Sequence, residues 1–288
     1  MSAISPDDWR ARGDTFAWRG ERIFYRIEGA GDPVLLVHGF PTSSWDWSAI
    51  WPRLAARYRL LTLDMIGFGF SAKPRRFAYS ISAQADLFGA LLERERISSY
   101  RLIAHDYGDT VAQELLARQQ DPAAPRIVAA CLLNGGLFPE AHRALVTQKL
   151  LATPLGSLLV RLGGYRAFAR SMRRIWGARP VPDAELRAMW RLIVEHDGTA
   201  VLPKLIGYLA ERRAHRDRWV GALTGAAMPV RFIDGLVDPI SGAHMVARYR
   251  ELVPHPDVIE LPGVGHYPQL EAPDAVASAI LDHFGRTP

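Results

Sequence analysis

Three residues of this chain are of types that do chemistry together, and each stands where an expected strand gives way to a loop. Asp106 closes the apolar run Leu102-Ile103-Ala104-His105 and leads at once into Tyr107-Gly108-Asp109-Thr110-Val111-Ala112-Gln113. Ala104 and Gly108, two residues before and two after it, are small, as a chain doubling sharply back on itself requires. Asp238 lies in Gly235-Leu236-Val237-Asp238-Pro239, and His266 in Gly263-Val264-Gly265-His266-Tyr267-Pro268. Singly, these read as an N-capping Asp, an Asp that starts a turn before Pro, and a turn His between glycines. Together they make a nucleophile, an orienting acid and a base, at the strand ends where open α/β sheets hold their sites. Asp234, nearer its strand end, is the alternative to Asp238.

The nucleophile sets the reaction. A carboxylate attacking an ester would give an anhydride, whereas displacement at a saturated carbon gives an alkyl-enzyme ester. His266 then activates a water against the ester carbonyl of Asp106 itself. The backbone N–H of Phe40, in His38-Gly39-Phe40-Pro41, and that of Tyr107 are the expected oxyanion-hole donors. Such chemistry serves substrates with a leaving group on carbon, either a halide or an epoxide oxygen.

The surrounding elements must carry these groups to one edge of a sheet. Thr15 to Glu28 alternates and turns at Arg19-Gly20, as a hairpin does. Val34 to His38 is a continuous apolar run of the kind a central parallel strand shows. A helix is expected from about Ser44, a strand from Tyr58 to Asp64, and an amphipathic helix from Ser80 to Ile97. The elbow strand follows, then a helix to about Gln120 and a strand from Pro125 to Asn134. This alternation predicts a parallel sheet covered on both faces. From Leu137 to Arg218 the rhythm breaks into helical stretches rich in Arg, and from Pro229 the βα rhythm resumes. The expected division is a core of 1–136 and 219–288 with an inserted helical cap of 137–218.

Composition narrows the function classes. Hydrophobic residues make up 49% of the 288, ample for a core, and the net charge of +5 comes without a Lys/Arg tract, which argues against nucleic acid. The single cysteine, Cys131, sits in an apolar strand-like run and has no partner for an internal disulfide. No stretch is long enough to span a membrane, and Met1 to Gly13 lacks the apolar core of a signal peptide, so a cytoplasmic location is expected. The motifs call for neither metal nor cofactor. The expected partners are a small-molecule epoxide or organohalide and, at most, a second copy of the chain.

From about Phe16 to Phe284 the chain resembles the α/β-hydrolases with an aspartate nucleophile: epoxide hydrolases, haloalkane dehalogenases and fluoroacetate dehalogenases. The carrying segments are His38 to Pro41, the Asp64 to Ser71 loop, the Asp106 elbow and Gly265-His266-Tyr267-Pro268-Gln269. Within that group, Asn134-Gly135-Gly136-Leu137-Phe138-Pro139-Glu140 and Arg218-Trp219-Val220-Gly221-Ala222-Leu223 resemble the mesoderm-specific transcript proteins. The resemblance implies the α/β-hydrolase fold, a mostly parallel eight-stranded sheet with helices on both faces, and the order nucleophile, acid, histidine. It also implies departures. Dehalogenases hold the halide with a Trp after the nucleophile and often an Asn in the His-Gly-x-Pro motif; Tyr107 and Phe40 stand there instead. Epoxide hydrolases protonate the opening oxygen with cap tyrosines; Tyr208 matches one by its spacing from Asp238. Tyr165 lies late for the other, and His142 is a stand-in. Substrate contacts are expected from His38, Trp45, Tyr165 and Trp176, with Trp176 or Trp190 holding a halide in the dehalogenase reading. Asp109 replaces a small residue and is expected to serve the helix dipole. An epoxide hydrolase is the leading expectation, a dehalogenase of haloalkanes or haloacids the second, and a non-catalytic ligand-binding protein the third.

Overall fold

The computed structural model describes residues 4–153 and 156–286. Its strands are β1 (Asp14–Trp18), β2 (Glu21–Glu28), β3 (Pro33–Val37), β4 (Arg59–Leu63), β5 (Ser99–His105), β6 (Arg126–Leu133), β7 (Val230–Gly235) and β8 (Asp257–Leu261). They form one sheet in the order β1-β2-β4-β3-β5-β6-β7-β8. The pairs β1-β2 and β2-β4 are antiparallel, and every other pair, from β4-β3 through β7-β8, is parallel. The continuous apolar runs are explained by helices on both faces. Leu35, Val37, Leu102 and Ala104 bury into one core layer, while Val34, Leu36 and Ile103 bury into the other. Cys131, fully buried in β6, belongs to the second layer.

The chain leaves β3 toward β4 on one side, and β5 returns on the other. The strand order therefore switches direction beside β3, and such a switch opens a crevice at the carboxyl edge. The loops bearing Phe40, Asp106, Asp238 and His266 all leave from that edge.

Local signals account for most element ends. Ser80 caps the helix Ile81–Arg94 by accepting the Ala83 N–H at 3.1 Å. The expected helix from Ser44 is instead a 3₁₀ turn, Ser44–Trp47, followed by a short helix, Trp51–Ala55. A first helix, Pro6–Ala11, was not foreseen; it buries Trp9, whose Nε1 donates to Ser44 Oγ at 3.1 Å. Met1 to Ala3 lie outside the described residues.

Between β6 and β7 the described residues are helical and contain no strand. The longest helix, Gly156–Ile175, breaks at Gly164 (φ 49°, ψ −153°). Lys73 ties this block to the core: its buried Nζ donates to the carbonyls of Gly69 (2.7 Å), Leu192 (3.1 Å) and Glu195 (2.6 Å). The expected boundary at 218 falls inside the helix Arg216–Thr224, which packs on the elbow helix Tyr107–Ala117. There Trp219 Nε1 and Arg218 Nε donate to Glu114 at 2.8 and 2.9 Å. No helix among the described residues is long and apolar enough to cross a membrane.

Candidate active site

Asp106 sits on a turn that most residues avoid. Its φ of 49° and ψ of −108° throw the side chain off the end of β5 as the helix Tyr107–Ala117 begins. The turn is possible because its flanks are small: a Cβ at Gly108 would stand 2.3 Å from the Val37 carbonyl oxygen. The carboxylate is 2% exposed. Oδ2 accepts the Phe40 N–H at 3.1 Å, and Oδ1 lies 3.8 Å from His266 Nε2. Burial alone would push this acid up, but the neighbouring His266 imidazolium, with the Arg212 charge behind it, holds it well below the usual carboxylate range. The arrangement leaves a buried carboxylate, held low in pKa, at the cavity floor.

His266 and Asp238 meet as the order of the motifs requires. His266 Nδ1 lies 2.7 Å from Asp238 Oδ2. Asp238 in turn accepts the Ile240 N–H on Oδ1 (2.9 Å), and the Ser241 N–H (3.2 Å) and Asn134 Nδ2 (3.2 Å) on Oδ2. The Ser241 hydroxyl has one proton to offer Asp238 Oδ2 at 2.8 Å and the Asn134 carbonyl at 2.6 Å. Burial would raise Asp238, yet the imidazolium and these donors bring it below its ordinary value. Burial would lower His266, yet the two carboxylates outweigh it and hold the ring protonated well above its ordinary value.

Three residues that position this set were missed. His105, just before the nucleophile, has Nε2 2.7 Å from the His266 carbonyl oxygen, so that nitrogen must carry the proton. Burial pushes its pKa down to about 4, so the ring is neutral. Glu271 accepts the N–H groups of Gly177 (2.7 Å), Gly265 (2.9 Å) and Tyr267 (3.1 Å), clamping the loop on both sides of His266. Asn134 spans Asp238 and both polar groups of Gly235. The available signal for Glu271 was an acid five residues past a loop His; for Asn134 it was a polar residue ending an apolar strand.

Above Asp106 and His266 lies a cavity of about 330 Å³, lined by Phe40 and by apolar side chains including Leu151, Val160, Phe168, Met172, Trp190 and Ile240. Four expected substrate contacts are not there. Trp45 is buried in the opposite core layer, with Nε1 donating to the Ile4 carbonyl at 2.9 Å. His38 is sealed in the fold, its Nε2 accepting the Met65 N–H at 3.1 Å. Tyr165 turns away to Asp183, with Arg187 over its ring at 4.7 Å. Trp176 stacks on Tyr267 at 5.5 Å and reaches the site only through that ring. In each case the aromatic or His is spent on packing or on a local hydrogen bond. Tyr208 is buried, its ring 4.8 Å from Tyr107 and 6.2 Å from Phe40, and its hydroxyl has no hydrogen-bond partner among the described residues. Burial and the nearby Asp106 charge raise that phenol, which therefore stays a donor. It does not line the cavity, nor does Tyr107.

Asp234, the alternative acid, is not brought to His266. Its carboxyl is fully buried without a partner among the described residues, and burial, then Asp238, push it up to about 9. Asp109 is also buried, against Gly135. There burial and then the Asp106 charge raise it well above the ordinary carboxylate value in the first helical turn. For Asp234 the sign follows directly. The folded state holds a proton the unfolded chain releases near pH 4, so stability falls as pH rises from there toward 9. Asp234→Asn should stabilise by on the order of 2 kcal/mol at pH 8 and by little at pH 4. Thermal melts at both pH values check this; an equal shift at the two would exclude a titrating Asp234.

With the geometry in place, three comparisons bear on it. The model of the family described as "Alpha/beta hydrolase family" matches residues 34–279. The mouse mesoderm-specific transcript protein is 41% identical over 287 residues, covering 95% of this chain and 86% of that one. Haloalkane dehalogenase 2 of Mycobacterium tuberculosis is 28% identical over 271 residues, 92% of each chain. Among solved structures, an alpha/beta hydrolase fold protein from Burkholderia ambifaria superposes with a TM-score of 0.81 at 27% identity, covering 93% of this chain and 97% of that one. The match spans all five strands from β4 to β8 and the loops that carry Asp106, Asp238 and His266, and on this ground the chain belongs to the alpha/beta hydrolase family.

Proposed function

We propose that the chain is a hydrolase that attacks saturated carbon through Asp106, with an epoxide as the substrate its groups serve best. The observation that carries this reading is the Asp106 carboxylate itself: buried, ionised, one oxygen on the Phe40 amide and the other facing the cavity beside His266. Oδ1 attacks the carbon, the C–O bond of the epoxide breaks, and the oxygen takes a proton supplied by the His266 imidazolium, while Tyr208, outside the cavity lining, assists by turning its unpartnered hydroxyl toward that oxygen when substrate binds. Esterification cancels the Asp106 charge, so His266 loses one of its two counter-charges and becomes a base. It deprotonates water, which adds to Cγ while the negative charge on Oδ2 rests on the amides of Phe40 and Tyr107. Collapse releases the second product oxygen, which came from Asp106, and leaves the solvent oxygen on the enzyme.

The cavity favours neutral, apolar substrates. Among the described residues its lining offers no lysine or arginine for a carboxylate, the His266 imidazolium is already paired with Asp238 and Asp106, and Arg212, buried beside Asp106, turns to the backbone. This sets haloacids below haloalkanes in the dehalogenase alternative, which the dehalogenase relative and Trp190 in the lining support. The helical block 137–218 serves as a cap that closes the cavity over the core.

The test is a single turnover in oxygen-18 water with a panel of alkyl epoxides and haloalkanes, for the parent chain and Tyr208→Phe. Label should enter Asp106 first and product only in later turnovers, and Tyr208→Phe should slow epoxide opening about 10-fold or more while sparing halide release. Label passing directly into the first product would sink the Asp106 mechanism. Equal loss on both substrate classes would remove the preference for epoxides. No ester and no turnover across the panel would favour a binding protein.

A further inference from the structure

A buried arginine reaches the nucleophile's own peptide. Arg212, in the helix Tyr208–Ala214, is 2% exposed. Its Nη2 donates to the backbone carbonyl of Asp106 at 3.1 Å and its Nε to Thr110 Oγ1 at 2.6 Å. Nη1 lies 3.4 Å from His142 Nδ1, and the guanidinium carbon stands 4.6 Å from the centre of the Tyr208 ring. Room is made for it at Gly136, where a Cβ would fall 2.1 Å from Nη1. His142 is neutral, since burial and then Arg212 push it down to about 3, so its Nδ1 can accept. No carboxylate among the described residues lies within ion-pair distance of Arg212. A buried cation with no direct ion pair is costly, and this one is held by a carbonyl, a hydroxyl and an imidazole aimed at it, with the Asp106 charge nearby.

The carbonyl it holds matters because of what lies at the other end of the same amide. The Asp106 C=O and the Tyr107 N–H belong to one planar, resonant peptide unit. A charged donor on the oxygen draws electron density from the nitrogen and makes its N–H a stronger donor. That N–H is the first of its helix and has no intrahelical acceptor, leaving it free to serve the oxyanion. We propose that Arg212 is a positioning residue that acts through the Asp106–Tyr107 peptide to accelerate hydrolysis of the enzyme ester, and not its formation. The asymmetry follows from the charges. Negative charge grows at Oδ2 during hydrolysis, so a stronger N–H lowers that barrier. During ester formation the carboxylate loses its charge, so the same N–H gives no help and slightly opposes attack. This inference rests on the Asp106 mechanism proposed above.

The test follows the ester on Asp106 by rapid-quench mass spectrometry, with formation and decay rates measured separately for the parent chain, Arg212→Met and Arg212→Lys. Arg212→Met should slow decay about 10- to 100-fold while formation changes less than about threefold, so ester builds up in the steady state. Arg212→Lys, which keeps the charge but loses the fork, should fall between the two. A purely structural role would lower both rates together or only the melting temperature, and that result overturns the proposal, as does unchanged decay. If Arg212→Met does not fold, Arg212→Lys and Thr110→Val, which removes the Nε acceptor, decide by the same ratio. If His266→Gln traps no ester from any substrate, the Asp106 mechanism itself fails and this role falls with it. If ester is trapped there and Arg212→Lys decays at the parent rate, only the Arg212 role fails.

Discussion

His266→Gln is expected to lower turnover about 10³- to 10⁴-fold while leaving a stable adduct on Asp106. The two halves of the cycle ask different things of this ring. Attack needs only the carboxylate, which remains held by the Phe40 amide at 3.1 Å. Hydrolysis needs a base within reach of a water beside Cγ, and His266 Nε2, 3.8 Å from Asp106 Oδ1, is the basic nitrogen turned to that carboxylate. His105 cannot substitute, because its Nε2 is committed to the His266 carbonyl. Peptide mass spectrometry after incubation with a reactive haloalkane should show substrate mass on the Asp106 peptide. For epoxides the adduct should form more slowly, since the imidazolium no longer supplies a proton to the opening oxygen. A variant with lost turnover and an unmodified Asp106 in both cases would contradict the mechanism.

Asp238→Asn should cost about as much, near 10⁴-fold in turnover, for a different reason. Four donors converge on this carboxylate besides the His266 ring: Ile240 and Ser241 N–H, Ser241 Oγ and Asn134 Nδ2. An amide has only one accepting oxygen, so in either orientation its NH₂ faces a donor, at a cost of about 1–3 kcal/mol. The larger effect is on the ring. Burial disfavours the imidazolium, and Asp238 is the strongest of the charges that overcome it. Without that charge the folded-state pKa of His266 drops toward or below its ordinary value. Because the parent pKa is raised, the stabilisation it provides is fully present below the ordinary His range and is lost as pH rises through the raised value. The variant should therefore melt lower than the parent most clearly on the acid side of neutrality, and the acid limb of its residual ester hydrolysis should move to lower pH. Melting curves and single-turnover decay over pH 5 to 9 read both. An acid limb that stays in place would mean that Asp238 does not set the state of His266.

Much of this site was legible because its signals are local. A strand, a small residue, an Asp and a glycine two further on can be read from five positions, and the close approach of Gly108 to Val37 is the reason for the spacing. The same holds for the β3 run and for Asp238 and His266, each a polar residue at the end of an apolar stretch. Phe40 was legible for its backbone, and its N–H does reach Asp106. The side chains chosen for substrate contact were not legible. Trp45 lies only seven residues past His38, yet the 3₁₀ turn Ser44–Trp47 directs it into the opposite core layer. Tyr165 carries no mark of which face its helix buries, nor Trp176, just past the end of that helix, of which way it turns, and both spend their rings on neighbours in space.

The sequence by itself determined the sheet and the chain order of Asp106, Asp238 and His266 at its carboxyl edge, because strand periodicity and turn sterics depend on few residues close together. Only the tertiary structure decided that Asp238 and not Asp234 meets His266, since Asp234 still lies within β7 while Asp238, four residues on, stands in the loop beyond it. It alone placed Arg212, from a helix more than a hundred residues away, on the Asp106 carbonyl. It also assigned Glu271 to three backbone amides of the His266 loop and its neighbour. Arg212 meets the Asp106 carbonyl, and Glu271 the Gly177 amide, across long separations in the chain, so no window of sequence contains these pairings.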